Sequence, residues 1–321
     1  MSERKELNYD LVILGGGPAG LSAAIYAARG SLKTAVIDKS SLGGQVSNTL
    51  EIENYPGFSA IGGFELMEKF EEHADRFKTD KYDFQEIVNI DLKSKIIETH
   101  EYIFKAKSII IATGAKPTKL NVQGEDELAG RGVSYCAVCY GAFFKEKDVC
   151  VVGGGNAAIE EAIYLTRFAN SVTIIHRRDC LRADQLYQDR AYSNPKIKFV
   201  FHSVVKEIKG ENKVESLLLS NVKTGETSEI ATDGIFIYIG YSPNSELFTG
   251  QLQFDSNGFI ITDTKMSVGI EGVFAAGDVR NTPLRQVITS ASDGAISATG
   301  AIKYLEEIEA EHTPINRTVE C

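Results

Sequence analysis

Tyr9-Asp10-Leu11-Val12-Ile13-Leu14-Gly15-Gly16-Gly17-Pro18-Ala19-Gly20 decides the fold. The run to Leu14 predicts a short buried strand. Leu21 to Arg29, rich in Ala and Leu, predicts a helix, and Thr34-Ala35-Val36-Ile37-Asp38 predicts the next strand. Together they form a β-α-β unit of the ~30-residue size expected of half a dinucleotide-binding domain. In Gly15-x-Gly17-x-x-Gly20 the first glycine permits the tight turn and the second lets backbone approach a pyrophosphate. The third lets helix and strand pack closely. N–H groups at the helix start then face the phosphates. Asp38 ends the second strand, where an acid can accept hydrogen bonds from a ribose. A plain loop has no need of strand, helix and acid in this register.

The unit repeats. Asp148 to Val152 predicts a strand, Ala157 to Ala169 a helix and Ser171 to Ile175 a strand, around Gly153-Gly154-Gly155-Asn156-Ala157-Ala158. The end of the second strand differs, reading His176-Arg177-Arg178-Asp179 with Arg182 beyond. Arginine pairs bidentately with phosphate oxygens. An Arg cluster there fits the 2′-phosphate of NADPH, whereas an acid favours NADH. A merely solvated basic loop has no reason to fall at the ribose-sensing position.

Between the units, Ser108-Ile109-Ile110-Ile111-Ala112-Thr113-Gly114-Ala115 predicts another apolar strand ending in a glycine turn, and Pro117 fits a domain crossing. A matching pattern recurs late. Gly234 to Gly240 predicts a strand, and Tyr241-Ser242-Pro243-Asn244 a turn. The expected class is α/β, with two Rossmann-like nucleotide-binding domains of three-layer ββα form. Residues 1–116 and 244–321 make a discontinuous outer domain, and residues 117–243 an inserted one. Two late features favour a flavin in the outer domain. Phe274-Ala275-Ala276-Gly277-Asp278 reads as a strand whose aspartate can bond a ribityl hydroxyl, against the blander reading of an ordinary turn. Arg285-Gln286-Val287-Ile288 opens a helix whose N-terminal end can face the isoalloxazine pyrimidine side.

Composition bounds the function. The 321 residues suffice for about two domains, and 43% are hydrophobic. A net charge of −10 argues against nucleic acid, which needs a basic face. No apolar run nears the ~20 residues of a membrane span. Met1-Ser2-Glu3-Arg4-Lys5-Glu6 lacks the apolar core of a secretory signal, so a soluble, cytoplasmic protein is expected. Of five cysteines only Cys136 and Cys139 stand at a redox spacing. Cys150, in an apolar strand, reads as buried and inert. Cys180 follows a basic loop and reads as partly exposed. Cys321, the last residue, reads as a dangling thiol, with a second relay at the tail as the sharper alternative.

In Cys136-Ala137-Val138-Cys139 one helical turn or tight loop can bring the sulfurs together. A thiolate in such a motif attacks disulfides readily. Zinc needs four ligands, and there is neither a second Cys-x-x-Cys nor a histidine cluster to supply them, so no metal is expected. A disulfide reductase must protonate the thiolate that leaves. Position 140 is Tyr140, and a phenol, titrating near ~10, is a poor proton source at neutral pH. Either Tyr140 serves, or another acid approaches, or the step is slow.

Taken in order, the motifs closely resemble the low-molecular-weight thioredoxin reductases over nearly the whole chain. They run from Gly15–Gly20 through Gly43-Gly44-Gln45, Glu53-Asn54-Tyr55-Pro56-Gly57 and Ala112-Thr113-Gly114 to the Cys136–Cys139 pair. Gly153–Ala158, His176-Arg177-Arg178-Asp179 with Arg182, Gly277-Asp278 and Arg285-Gln286 complete them. The resemblance implies a homodimer with the FAD domain split around the NADPH domain. It implies that Gly15, Gly17, Pro18, Ala19, Gly20, Asp38, Lys39, Gly44, Gln45, Asn54, Ala112, Thr113, Gly114, Gly277, Asp278, Arg285 and Gln286 line FAD. NADPH falls to Gly153, Gly155, Asn156, Ala157, Ala158, His176, Arg177, Arg178 and Arg182. Cys136 and Cys139 become the redox disulfide, with Cys139 facing the flavin and Cys136 the exchange thiol. Tyr140 stands where the family carries an acid.

The expected reaction therefore passes hydride from NADPH to FAD, then electrons to the Cys136–Cys139 disulfide and on to thioredoxin. Dithiol and NADPH loop share the inserted domain and both need the flavin, so a rotation about Lys116-Pro117 and Tyr241-Ser242-Pro243 is expected. Rival readings keep the scaffold but change the donor to ferredoxin, change the disulfide acceptor, or make it a flavin-dependent dithiol oxidase. A further rival is a redox sensor that hardly turns over.

Overall fold

The computed structural model describes residues 4–49 and 51–312, so Cys321 lies outside the described residues. These residues form two compact units, one drawn from Met1–Lys116 and Ser242–Cys321, the other from Pro117–Tyr241.

In the first unit the glycine turn joins β1 (Lys5–Leu14) to α1 (Pro18–Arg29), and β2 (Thr34–Ile37) follows. The helix starts three residues before the sequence expectation, because Pro18 suits the first helical position, where no N–H is needed. After α2 (Gly63–Asp75) come β3 (Asp80–Tyr82), β4 (Ile87–Asp91), β5 (Ile96–Thr99) and β6 (Tyr102–Ile111). β7 (Ala115–Pro117) leads out of the unit.

The second unit begins with β8 (Val133–Ser134), the single turn α3 (Ala137–Tyr140) and β9 (Asp148–Val152). Then come α4 (Asn156–Leu165), β10 (Ser171–Ile175), α5 (Gln185–Tyr192) and β11 (Ile197–Val200). β12 (Ser203–Lys209), β13 (Ser216–Asn221), β14 (Thr227–Ala231) and β15 (Gly234–Ile237) complete it. α4 stops at Leu165, short of the expected Ala169, and the chain leaves in tighter turns at Thr166, Arg167 and Phe168.

The chain returns through β16 (Tyr241–Pro243), then β17 (Val273–Ala275) and α6 (Val287–His312). Residues 241–244 were expected to turn; instead Tyr241–Pro243 pairs with β7 as a two-stranded ribbon. Prolines 117 and 243 sit at the strand ends, where a missing N–H is tolerated. α6 starts at Val287, so Arg285 and Gln286 precede it.

Each unit has three layers. In the first, β3-β2-β1-β6 is parallel, β17 joins β6 in parallel, and β4-β5-β6 is antiparallel. Leu11 and Ile13 pack on the helical side with Ala23, Ala27 and Ala298; Val12 and Leu14 pack on the other with Ile97, Phe104 and Phe248. Burial on both faces is why the parallel strands read as unbroken apolar runs. In the second unit the parallel sheet β11-β10-β9-β15-β8 carries α4 and α5 on one side. The antiparallel sheet β12-β13-β14 covers the other, through Val205, Leu217 and Leu219. Two Rossmann-like domains are thus present.

Candidate functional sites

The two glycine turns have the same mechanics. Gly15 (φ +107°) runs so close to the end of β6 that a Cβ there would lie 2.3 Å from the Ala112 carbonyl oxygen. At Gly20 a Cβ would lie 1.8 Å from the Gly15 oxygen, so this glycine is needed for the helix to pack. Gly17, which caps α1, has nothing within 4 Å of a built Cβ. Gly155, which caps α4, likewise faces open space, while a Cβ at Gly153 would lie 2.5 Å from the Tyr238 oxygen. Tight first glycine, open second glycine and free helix N–H groups are what a pyrophosphate requires.

In the first unit, Asp38 does more than end β2. Its Oδ2 accepts the Gly16 N–H at 2.7 Å and its Oδ1 accepts the Ser40 N–H at 2.9 Å, so it anchors the turn. Lys39 beside it is exposed. Gly44 lies against Gly17, its built Cβ 3.3 Å from the Gly17 Cα, and Gln45 donates its side-chain amide to the Ala115 carbonyl. Asn54 donates to the Gln286 side chain at 3.1 Å. Thr113 donates to the Asn244 carbonyl at 2.7 Å, and Gly114 faces open space.

Gly277 and Asp278 come to the same place. A Cβ at Gly277 would meet that of Ala19 at 2.9 Å. The Gly277 N–H donates to Asp293 Oδ2 at 3.1 Å, and Arg280 pairs with that carboxylate at 3.2 Å. Asp278 accepts from the Ser290 hydroxyl at 3.2 Å. Burial pushes its carboxyl up, against the opposing pull of Arg285, whose guanidinium stacks 4.1 Å above the Phe259 ring. The residues expected to line FAD thus gather at the C-terminal ends of β1, β2, β6 and β17 and in the loops that meet them, and they fit its diphosphate and ribityl chain.

In the second unit, His176 is buried against Gly154, where a Cβ would lie 2.4 Å from the imidazole. Burial, then the positive field of Arg182, Arg178 and Arg177, holds its titration low. The Arg182 N–H donates to the Gly154 carbonyl at 2.6 Å, tying the basic loop to the glycine turn. Asn156 exchanges two hydrogen bonds with Asp184, at 2.8 and 2.7 Å. Arg177, Arg178 and Arg182 are all exposed, and none forms an ion pair with a described carboxylate. Three uncompensated cations around a glycine turn fit a phosphorylated dinucleotide. The free thiol of Cys180 is exposed beside them; Cys150 is buried.

Cys136 and Cys139 are joined as a disulfide. Cys136 caps α3, and its sulfur accepts the Cys139 N–H at 3.2 Å. Tyr140 ends α3, half-buried, its ring 6.2 Å from that of Phe143. Sequence reasoning missed Tyr238, whose hydroxyl accepts the Ala137 N–H, and Glu161 on α4, whose field acts on Tyr238. Burial and the charge of Glu160 push the Glu161 carboxyl up to about 7.

Comparison with known proteins agrees with this geometry. Residues 9–295 match the profile of the family described as pyridine nucleotide-disulphide oxidoreductase. The chain is 50% identical over 307 residues to a thioredoxin reductase of Peptoclostridium acidaminophilum, covering 93% of this chain and 97% of that one. It is 48% identical over 312 residues to the thioredoxin reductase of Bacillus subtilis, covering 96% and 98%. The crystal structure of thioredoxin reductase from Streptococcus pyogenes superposes with a TM-score of 0.87 at 48% identity, covering 94% and 99%.

Proposed function

The chain belongs to the pyridine nucleotide-disulphide oxidoreductases, and from that premise we propose that it is an NADPH-dependent flavoprotein reductase of thioredoxin. The observation that carries the reading is the Cys136–Cys139 disulfide, built into the same unit as a glycine turn ringed by three unpaired arginines. That unit can collect a phosphorylated hydride donor and present a reducible sulfur pair.

FAD, when bound, supplies the two-electron chemistry that links a nicotinamide hydride to a disulfide. The first unit would hold it. Gly17 and the first N–H groups of α1 receive the diphosphate, and Asp278 accepts from a ribityl hydroxyl. Gln45, Asn54 and Gln286 contribute amides toward the ring system. In the second unit Gly155 and the start of α4 receive the NADPH diphosphate. Arg177, Arg178 and Arg182 take the 2′-phosphate.

After reduction, the Cys139 N–H that points at Cys136 Sγ favours the Cys136 thiolate, because hydrogen bonds to a charged form lower its pKa. This supports Cys136 as the exchange thiol and Cys139 as the thiol facing the flavin. The Cys136 thiolate attacks the thioredoxin disulfide, and Cys139 then resolves the mixed disulfide.

A cytoplasmic homodimer is part of this reading. No helix among the described residues is long and apolar enough to cross a membrane. The test is NADPH-driven reduction of insulin with and without thioredoxin. Turnover that requires thioredoxin, and that prefers NADPH to NADH by ~10-fold or more, is expected. NADPH consumption that ignores thioredoxin would overturn the proposal, and sedimentation at the mass of one chain would overturn the dimer.

A further inference from the structure

Reducing a disulfide needs protons as well as electrons, and the residues beside the sulfur pair show where one is kept. α4 meets α3 through Tyr164 and Leu165; a Cβ at Gly141 would lie 3.4 Å from Tyr164 Cε1 and 3.3 Å from Leu165 Cδ2. Glu161 precedes these two by three and four residues, so it shares their stripe one turn earlier. Tyr238 reaches the other end of α3 and accepts the Ala137 N–H, directly after Cys136. Glu161 Oε2 is buried and has no hydrogen-bond partner among the described residues.

An unused, buried carboxylate oxygen is costly and calls for a reason. Its surroundings offer no counter-ion. Only burial and the charge of the exposed Glu160 act on its carboxyl, and Tyr140 from α3, Tyr164 from α4, Tyr187 from α5 and Tyr238 after β15 pack against the core on this side of the sheet. β9 and β10 bring Val149, Val151, Val172 and Ile174 to this core. Burial and Glu160 leave Glu161 titrating at about 7, whereas the Tyr238 hydroxyl, raised by burial and by Glu161, keeps its proton.

We propose that Glu161 is the proton reservoir of the Cys136–Cys139 couple, a positioning residue that acts through the Tyr238 hydroxyl. The inference rests on the disulfide-reductase reading above. Before discharge the pair holds one thiolate and one thiol, and Glu161 holds a proton. The thiolate attacks the partner disulfide, whose S–S bond breaks. The second thiol gives up its proton as the Cys136–Cys139 bond re-forms, and both partner sulfurs leave as thiols. Two electrons pass from the pair to the partner, with one proton from the pair and one from Glu161. Glu161 stays ionised until the next reduction delivers two electrons and two protons.

Two readouts test this on the intact holoenzyme. One is rapid mixing of the reduced enzyme with oxidised thioredoxin across pH 5.5–9, these limits spanning roughly two pH units about a carboxyl near neutrality. The other is the pH dependence of iodoacetamide alkylation of the reduced pair, which needs no thioredoxin. In the native protein both profiles should inflect near the Glu161 titration at about 7. Glu161→Gln should abolish the inflection and slow discharge at pH ~6 by at least ~10-fold. Glu161→Asp should restore the inflection in part. Tyr238→Phe should slow discharge similarly, and the double variant should be no slower than either single one. Flavin content and melting temperature show that each variant is folded. An inflection that survives in Glu161→Gln, or multiplicative effects in the double variant, overturns the inference alone. A native enzyme that fails on thioredoxin yet keeps a Glu161-dependent alkylation step overturns the thioredoxin reading and leaves the inference standing.

Discussion

The two glycine turns differ in what their second strands bring to them. At the first, Asp38 folds back onto the Gly16 N–H and closes the turn with a negative charge. At the second, His176 fills the corresponding place against Gly154, and three exposed arginines surround it. The scaffold is shared, but one turn is closed by a carboxylate and the other is flanked by cations. The helices differ too. Six residues past the open cap, α1 carries the fully buried Ala23, while α4 carries the half-buried Glu161. One helix is close-packed at this position; the other keeps an ionisable group there.

The harshest way to test that both turns feed one outlet is to remove it. Cys136→Ser and Cys139→Ser should each lower NADPH-driven thioredoxin reduction by ~1000-fold or more, with flavin still bound, as absorbance and turnover measured together will show. Next in size is exchange of the two open glycines. Gly17 has φ −77° and Gly155 φ −92°, so a β-branched residue enters either without backbone strain and meets only the ligand. Gly17→Val should purify without flavin. Gly155→Val should remain yellow while its KM for NADPH rises ~10–100-fold, a loss of about 1.4–2.8 kcal/mol. The opposite pattern would reverse the assignment of the turns.

The charge difference is sharpened by Arg177→Ala and Arg178→Ala. Each should raise KM for NADPH by ~10-fold and leave KM for NADH nearly unchanged, in steady-state comparison of the two donors. The smallest effect concerns Glu161. Its carboxyl is raised from 4.5 to about 7, so between those values the unfolded group ionises first and the folded protein loses stability as pH rises. Glu161→Gln removes that loss. Allowing for solvent at a half-buried carboxyl, urea unfolding should show a gain of about 1–2 kcal/mol at pH 8 and none at pH 4.

Much of this was legible in the sequence because the deciding features are contiguous. The glycine turns, the Cys-x-x-Cys and the His176–Arg182 loop each bring their chemistry within a few residues. What was hidden depends on contacts between distant segments. Nothing in the sequence separates Glu160 from its neighbour Glu161, and only the packing of Tyr164 and Leu165 on Gly141 shows which is turned inward. Tyr238 reads as the end of an apolar strand until it meets Ala137, 101 residues earlier. The antiparallel sheets β4-β5 and β12-β13-β14 are short and irregular, with register shifts at Ile87/Asn89 and Val205/Glu207, and leave no clean alternation to read. The Tyr241–Pro243 strand reads as a turn because its ladder partner lies more than a hundred residues away.

Cys150 gives the molecule a built-in gauge. It lies mid-sheet between Thr173 and Ile235, its thiol pushed up to about 12 chiefly by burial. A thiol reagent can reach it only when the sheet around it parts. Its labelling rate under native conditions, read at that one residue, therefore clocks the opening of one domain.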